Sequence, residues 1–453
     1  MADKETPSLD RSLQQMRFGE SITFVDDIVC SDGPVFLAMR RLFNKVDCKD
    51  LADLVMKLPV SAVVARFANA PQEAEKRSLE ILFQECFYSG FPDIIEWIPP
   101  DLAESLPSWL TDTCPGVPEA TRLTPSLRQK TPYNLTPSSP RVLPDISVCP
   151  TYTYGLPSPV LPGEKGDTAT VKNSEIMGEN EFARRAVLLW AKLGRKTRRT
   201  VKTGSPIGSE ASDNKIVSSS VHVPWGFIVP GGRFREMYYW DSYWIVRGLL
   251  HSGMISTARG IILNFADLVR RFGFIPNGNR SYYLTRSQPP VFSMMLSAYY
   301  AFTGDLELIR DTYLYVQREY FYWMEGDLRQ VHVTLDGRDL QLNRYLGHIA
   351  EPRTESWDTD ETVVRTAAEK ALQNGNHEFS AAARSCILQN IRAAAESGWD
   401  FSSRWVPDDV DAVTEGVMPA LRSESFLPVD LNRRVPSPKC WKESTQELAG
   451  NAA

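Results

Sequence analysis

Apolar positions recur every three or four residues in four short runs near the start of the chain: Val35–Phe43, Asp50–Met56, Ser61–Phe67 and Gln72–Gln84. That spacing predicts short amphipathic helices, followed by a turn at Gly90-Phe91-Pro92 and a further short segment from Pro99. Longer helical patterns cover Asn180–Leu193, Ile255–Phe272, Asp305–Glu325, Asp360–Asn374 and Ser380–Ser397. Pro289–Thr303 is apolar nearly all round, as an inner helix of a bundle or barrel would be. Val331–Leu342 alternates about Asp336-Gly337, which predicts a β-hairpin. In residues 230–244, PGGRFREMYYWDSYW, a helical pattern begins near Phe234 and puts Tyr239, Tyr243, Val246 and Leu250 on one face. Arg233 then stands where a loop enters that helix. Periodicity alone predicts a large all-α domain, and helices of alternating burial joined by polar loops fit an α/α barrel.

Composition changes this picture in one region. Eleven prolines fall between Pro115 and Pro162, a third of the chain's 31, with many Ser and Thr and no apolar periodicity. Proline removes backbone donors and breaks helices, so residues 111–178 are expected to be a disordered insertion, with a proline-rich docking ligand as the alternative. Residues 1–21 are polar and charged and are expected to be disordered too. Lys192–Lys202 reads as a solvated basic face or loop, and Ser205–Ser220 as a polar loop.

Charge and cysteine usage narrow the classes of function. The 453 residues carry a net charge of −6, with no basic patch to bind nucleic acid or an anionic membrane surface. Seven scattered cysteines without a CxxC pair indicate neither a disulfide framework nor a zinc site, and the five histidines form no HExxH. No metal and no cofactor are expected. Without an apolar signal core or an 18-residue apolar window the chain reads as cytoplasmic; a secreted or membrane-anchored form is the alternative if the termini are incomplete.

Four loops carry candidate chemistry. The first, residues 230–244, holds Arg233, Phe234, Trp240 and Asp241. It is open to two readings: an aromatic face filling a core, or a sugar site in which rings stack on apolar C–H faces while Arg and Asp hold hydroxyls. The second, 275–290, holds Asn277, Arg286, Ser287 and Gln288; the third, 352–360, holds Arg353, Thr354 and Glu355; the fourth, 396–405, holds Gly398 and Asp400. Asp400 follows the end of an apolar helix, which is expected to desolvate its carboxyl and raise its pKa. Taken singly, Arg353 and Glu355 also read as a surface pair, Asn277-Gly278 as a turn and Asp400 as a cap.

The run PGGRFREMYYWDSYW resembles the first signature of the trehalases, glycoside hydrolases that cleave α,α-trehalose into two glucoses, and the other three loops match trehalase segments in order. The resemblance runs from about Ile22 to Asn432 apart from the insertion. It implies an (α/α)6 toroid over residues 179–432, wrapped by residues 22–110, and an inverting two-carboxylate mechanism with Asp400 as general acid. It further implies that Arg233, Arg286 and Arg353 surround the reacting glucose. Phe234, Trp240, Asp241, Asn277, Ser287, Gln288, Thr354, Glu355 and Gly398 match substrate-contacting positions. Residues 433–453 do not match, and the family's later QWDxPxGW-like run and general-base glutamate are not found in the 453 residues. The expectation is therefore a C-terminally truncated trehalase of low or no activity. The alternatives are a non-catalytic sugar-binding isoform and another α/α-barrel α-glucosidase.

Overall fold

The computed structural model describes residues 28–30, 33–43, 46–71, 75–90, 92–103, 181–198, 218–324, 329–373, 379–410 and 416–434. The expected insertion, the first 21 residues and all but the first two residues of the 433–453 tail lie outside these. The described residues are mostly helical with few small strands, as an all-α barrel requires. None of their helices is long and apolar enough to cross a membrane.

Four short helices come first: α1 (Pro34–Leu42), α2 (Cys48–Ala52), α3 (Val60–Ala68) and α4 (Lys76–Cys86). Each ends within a few residues of its apolar run. The Asp47 side chain caps α2 by accepting the Lys49 N–H. One apolar cluster, including Val35, Phe36, Val63, Phe67, Cys86 and Phe87, binds these helices together and extends to Tyr238, Tyr282 and Tyr283. Between Pro100 and the next long helix, α6 (Glu181–Leu193), only the short α5 (Pro100–Ala103) is described.

A small antiparallel sheet then joins β1 (Ile94–Glu96), β2 (Gly194–Thr197) and β3 (Phe227–Ile228) in that order. The start of the basic run at 192–202 is thus a strand rather than a loop, because its backbone pairs with both neighbours.

The main core is built by α7 (Asp241–His251), α8 (Ile255–Phe272), α9 (Phe292–Thr303) and α10 (Leu306–Met324), which pack on one another through Val246, Leu249, Ile261, Phe265, Phe292 and Met295. A hairpin follows, β4 (Gln330–Leu335) with β5 (Arg338–Asn343). Its two-residue turn puts Asp336 and Gly337 at positive φ, 51° and 70°, which suits an Asp-Gly pair. Two packed helices, α11 (Trp357–Gln373) and α12 (Ala381–Glu396), come next. Ser380 caps α12 by accepting the Ala383 N–H at 3.1 Å. A third cluster, with Trp323, Tyr345, Ile391, Ala393, Trp405 and Leu421, packs the end of α12 against the hairpin and the last described segment, which ends in α13 (Val429–Arg434).

One helix boundary differs from expectation by a full two turns. The pattern placed a helix from Phe234, yet α7 starts at Asp241. Residues 231–238 form a turn instead, with isolated bridges between Gly231 and Phe234 and between Tyr238 and Gly278. The Asn279 side chain accepts the Met237 N–H at 2.8 Å, and the Asn277 carbonyl accepts the Tyr239 N–H at 3.0 Å. These long-range partners outbid helical ones. The apolar face is nonetheless buried, since Tyr239, Val246 and Leu250 lie in the core.

Candidate active site

The candidate residues stand where chain enters or leaves a helix. Trp240 and Asp241 open α7. Arg286, Ser287 and Gln288 leave a 3-10 turn (Ser281–Thr285) ahead of α9, and Thr354 and Glu355 form a second such turn running into α11. Gly398 and Asp400 follow α12.

Arg286 and Arg353 are buried and held by carboxylates. Arg286 donates to Glu355 at 2.7 Å, and its guanidinium lies 5.1 Å from the Tyr283 ring centre. Arg353 makes a two-pronged pair with Asp360, at 3.0 and 2.7 Å, and also donates its backbone N–H to that carboxylate at 2.9 Å. Such forked contacts fix the plane of the guanidinium as well as its position. Burial pushes the Glu355 carboxyl up, but Arg286 and Arg353 outweigh it and hold the group at about 2. Glu355 is thus an ionised acceptor inside the protein. Its Oε2, and Nε and Nη1 of Arg286, are buried without a hydrogen-bond partner. Buried groups of this kind are costly to leave unpaired, and a ligand rich in hydroxyls would satisfy them.

The rim is made by Trp240, Asp241, Gly398 and Asp400. The backbone N–H of Trp240 donates to the Gln288 side chain at 3.2 Å, tying the first loop to the second. Gly398 has φ of +71°, and a Cβ there would lie 2.7 Å from the Trp240 ring. Only glycine lets the backbone lie against that ring. Burial raises the pKa of Asp241; its own backbone N–H opposes the rise, and the nearby charge of Asp400 adds to it. Asp400 also acts on Arg353, alongside the closer Asp360 and Glu355. The two aspartates and Arg353 therefore face a common space.

The structure corrects several expectations. Asp400 is exposed to solvent, so the expected desolvation of its carboxyl is not present. Gly398 turns the chain off α12 before Asp400, carrying the side chain past the buried helix end to the rim. Arg233 is not part of the buried cluster: it is half-exposed, pairs with Asp47 at 2.9 Å and lies against Phe234, itself exposed. The Ser287 hydroxyl is spent on the Ile275 carbonyl at 2.7 Å. Arg353 and Glu355 are buried, which removes the surface-pair reading. Asn277 and Thr354 are buried beside them.

Several residues that hold the site were missed. Arg392 donates to the carbonyls of Glu351 and Pro352, each at 2.7 Å, and to the Thr285 hydroxyl at 3.2 Å, joining the second and third loops. One turn further along α12, Glu396 accepts the Ser287 N–H at 3.0 Å and a two-pronged contact from Arg329 at 2.7 and 2.9 Å. Two opposite charges within the buried run Ile391–Glu396 were the available signal, since ions on an apolar helix face must find partners. Among the described residues no group of three or more His, Cys, Asp and Glu could hold a metal ion.

The described residues thus form a mainly helical protein in which buried guanidiniums and carboxylates lie beneath a rim of indole ring, amide and two aspartates. A family model described as trehalase matches residues 177–435, more than half of the chain, and the chain belongs to the trehalase family. It is 40% identical over 252 residues to a trehalase of Tenebrio molitor, covering 56% of this chain and 41% of the relative. It is 39% identical over 251 residues to a trehalase of Oryctolagus cuniculus, covering 55% and 39%, and 37% identical over 244 residues to one of Homo sapiens, covering 54% and 37%. The chain thus spans about two fifths of the length of these relatives. Among solved structures, neutral trehalase Nth1 from Saccharomyces cerevisiae aligns at 28% identity with a TM-score of 0.35, over 47% of this chain and 38% of that one.

Proposed function

We propose that this chain binds α,α-trehalose at the rim described above and takes part in its hydrolysis to two glucoses, with inversion and with Asp400 as general acid. The observation that carries this reading is the meeting of four separate loops at one place, where Asp241 and Arg353 both feel the charge of Asp400. Trp240 offers a ring for the apolar face of one glucose. The ionised Glu355 accepts hydroxyl hydrogens, and Arg286 and Arg353 donate to ring hydroxyls. Asp400 gives its proton to the glycosidic oxygen as the bond to the leaving glucose breaks. Inversion needs a second carboxylate on the opposite face of the sugar, roughly 6.5–9.5 Å from the acid, to activate water. Inversion at one ring yields β-glucose, and the leaving ring departs as α-glucose.

Proton NMR of glucose release tests the proposal. The expected result is equal initial α- and β-glucose, with release lost in Asp400→Asn while trehalose still binds. Release that is unchanged in Asp400→Asn would remove Asp400 from the role.

A second reading, trehalose binding without turnover, is favoured by the exposure of Asp400. A general acid must keep its proton near neutral pH, and an apolar surround is the usual means. Saturable trehalose binding without any glucose release by the wild-type chain would select this reading.

A further inference from the structure

Glu319, on α10, is a buried acid that no step of the proposed reaction uses. It accepts the hydroxyl of Tyr239. A phenol offers one proton and oxygen lone pairs. Here the Tyr239 oxygen accepts the Val291 and Phe292 N–H groups, at 2.8 and 2.9 Å, and its proton goes to Glu319.

This junction lies directly behind the rim. Tyr239 precedes Trp240 and Asp241, and Val291 comes three residues after Gln288. The Trp240 N–H donates to the Gln288 side chain at 3.2 Å, and the Tyr239 N–H to the Asn277 carbonyl at 3.0 Å. The first and second loops are thus tied at the rim through Gln288 and behind it through the Tyr239 hydroxyl, whose proton rests on Glu319.

Glu319 has no countercharge. Its neighbours one turn away on α10, Tyr315, Val316, Tyr322 and Trp323, carry no cation. On α8, which packs against α10, Arg259 pairs with Asp305 at 3.5 Å, and Arg270 and Arg271 both pair with Asp267. The other packed helix, α9, holds no charged residue; burial, then Asp305, raises the pKa of its Tyr299. Among the described residues Tyr239 is the one titratable group that bears on Glu319. Burial pushes the Glu319 carboxyl up to about 8, and the Tyr239 hydrogen bond only partly opposes it. Ionised in the same place, Glu319 is a buried charge with nothing to pair it.

We infer that Glu319 is a positioning residue: as a neutral acid it fixes the Tyr239 hydroxyl against the start of α9, and so holds Trp240 and Gln288 in register at the sugar rim. This rests on the sugar-site reading of the rim, and the test separates the two.

Trehalose affinity is measured by calorimetry from pH 7 to pH 9, with circular dichroism to follow the fold. Amide exchange of the peptide holding Val291 and Phe292 is measured at pH 7 without sugar. Wild-type affinity is expected to fall about tenfold from pH 7 to pH 9, as the neutral fraction of Glu319 falls by that factor. Glu319→Gln keeps an acceptor for Tyr239 and does not titrate, so it is expected to retain affinity within about twofold and to bind equally at both pH values. Glu319→Leu removes the acceptor and is expected to weaken binding about fivefold at pH 7 and to speed exchange at Val291 and Phe292 by a similar factor. Val63→Ala, a cavity among the N-terminal helices, is expected to lower stability and change neither readout. A flat wild-type profile, the same alkaline fall in Glu319→Gln, or unchanged exchange in Glu319→Leu would overturn the inference. Loss of the fold over the same pH range would make Glu319 a core residue only and overturn it too. If the wild-type chain binds no trehalose at any pH, the sugar-site reading fails by itself, and the exchange arm still decides whether Glu319 holds Tyr239.

Discussion

Gly398 is the residue on which the rim's geometry turns. Its backbone lies against the Trp240 ring at positive φ, so an alanine there meets both a steric and a conformational penalty. Gly398→Ala is expected to lower stability by about 1–3 kcal/mol, read as a shift of the urea midpoint. Glu355 supplies a pH test. Its folded pKa of about 2 lies below the ordinary carboxylate value of 4.5, so its ionisation stabilises the fold above about pH 4.5. That contribution, on the order of 3 kcal/mol, is lost as pH falls from about 4.5 toward 2. Arg286→Met removes the main cation and is expected to flatten that part of the stability profile. At this scale the sequence was partly legible. Arg286, Arg353 and Glu355 were picked out by the match of their loops to trehalase segments, since taken singly Arg353 and Glu355 also read as a surface pair. Asp360 was not, because nothing in the spacing of PRTESWDTD distinguishes it from Asp358, which is only half-buried and pairs with Arg40 at 3.3 Å.

Among the elements, helices were legible where an apolar stripe was long. Ile255–Phe272 matched residue for residue, and α10, α11 and α12 began and ended within three residues of their patterns. The failure was α7, where periodicity correctly marked the buried face but not the backbone path. Gly231 and Phe234 bridge each other, and Met237 and Tyr238 pair with residues about forty positions away, which no local pattern encodes. The contact between α10 and the start of α9 gives a prediction of opposite sign to that for Glu355. The Tyr239 hydroxyl accepts the N–H groups of Val291 and Phe292, at 2.8 and 2.9 Å, and donates to Glu319. Burial pushes the Glu319 carboxyl up to about 8, the Tyr239 hydrogen bond only partly opposing it. A raised carboxylate pKa makes the fold lose stability as pH rises from about 4.5 to 8, because the unfolded chain ionises first. Glu319→Gln is expected to remove this slope. Melting temperatures at pH 5 and pH 9 should converge in the variant and differ in the wild type.

Across the whole molecule, the N-terminal helices and the site loops meet through a buried ionic cluster. Lys49 contacts Asp53 at 2.5 Å and Glu236 at 2.9 Å, and Arg280 contacts Glu236 at 3.1 Å and Asp93 at 2.6 Å. Removing one partner leaves the other charges buried and unpaired, so Lys49→Met is expected to cost about 3–5 kcal/mol in urea unfolding. The sequence showed an N-terminal run of helices but not this junction, since its ion-paired residues lie up to 227 residues apart. The order of the four loops, through their resemblance to trehalase segments, did lead to the expectation that distant segments share one site. That convergence is the central claim. Its most direct test is calorimetric titration of trehalose into the wild-type chain and into Trp240→Ala, with maltose as control. The account predicts saturable one-to-one binding of trehalose in preference to maltose, weakened roughly threefold to tenfold by loss of the ring. No saturable heat with trehalose, or equal affinity in Trp240→Ala, would contradict it.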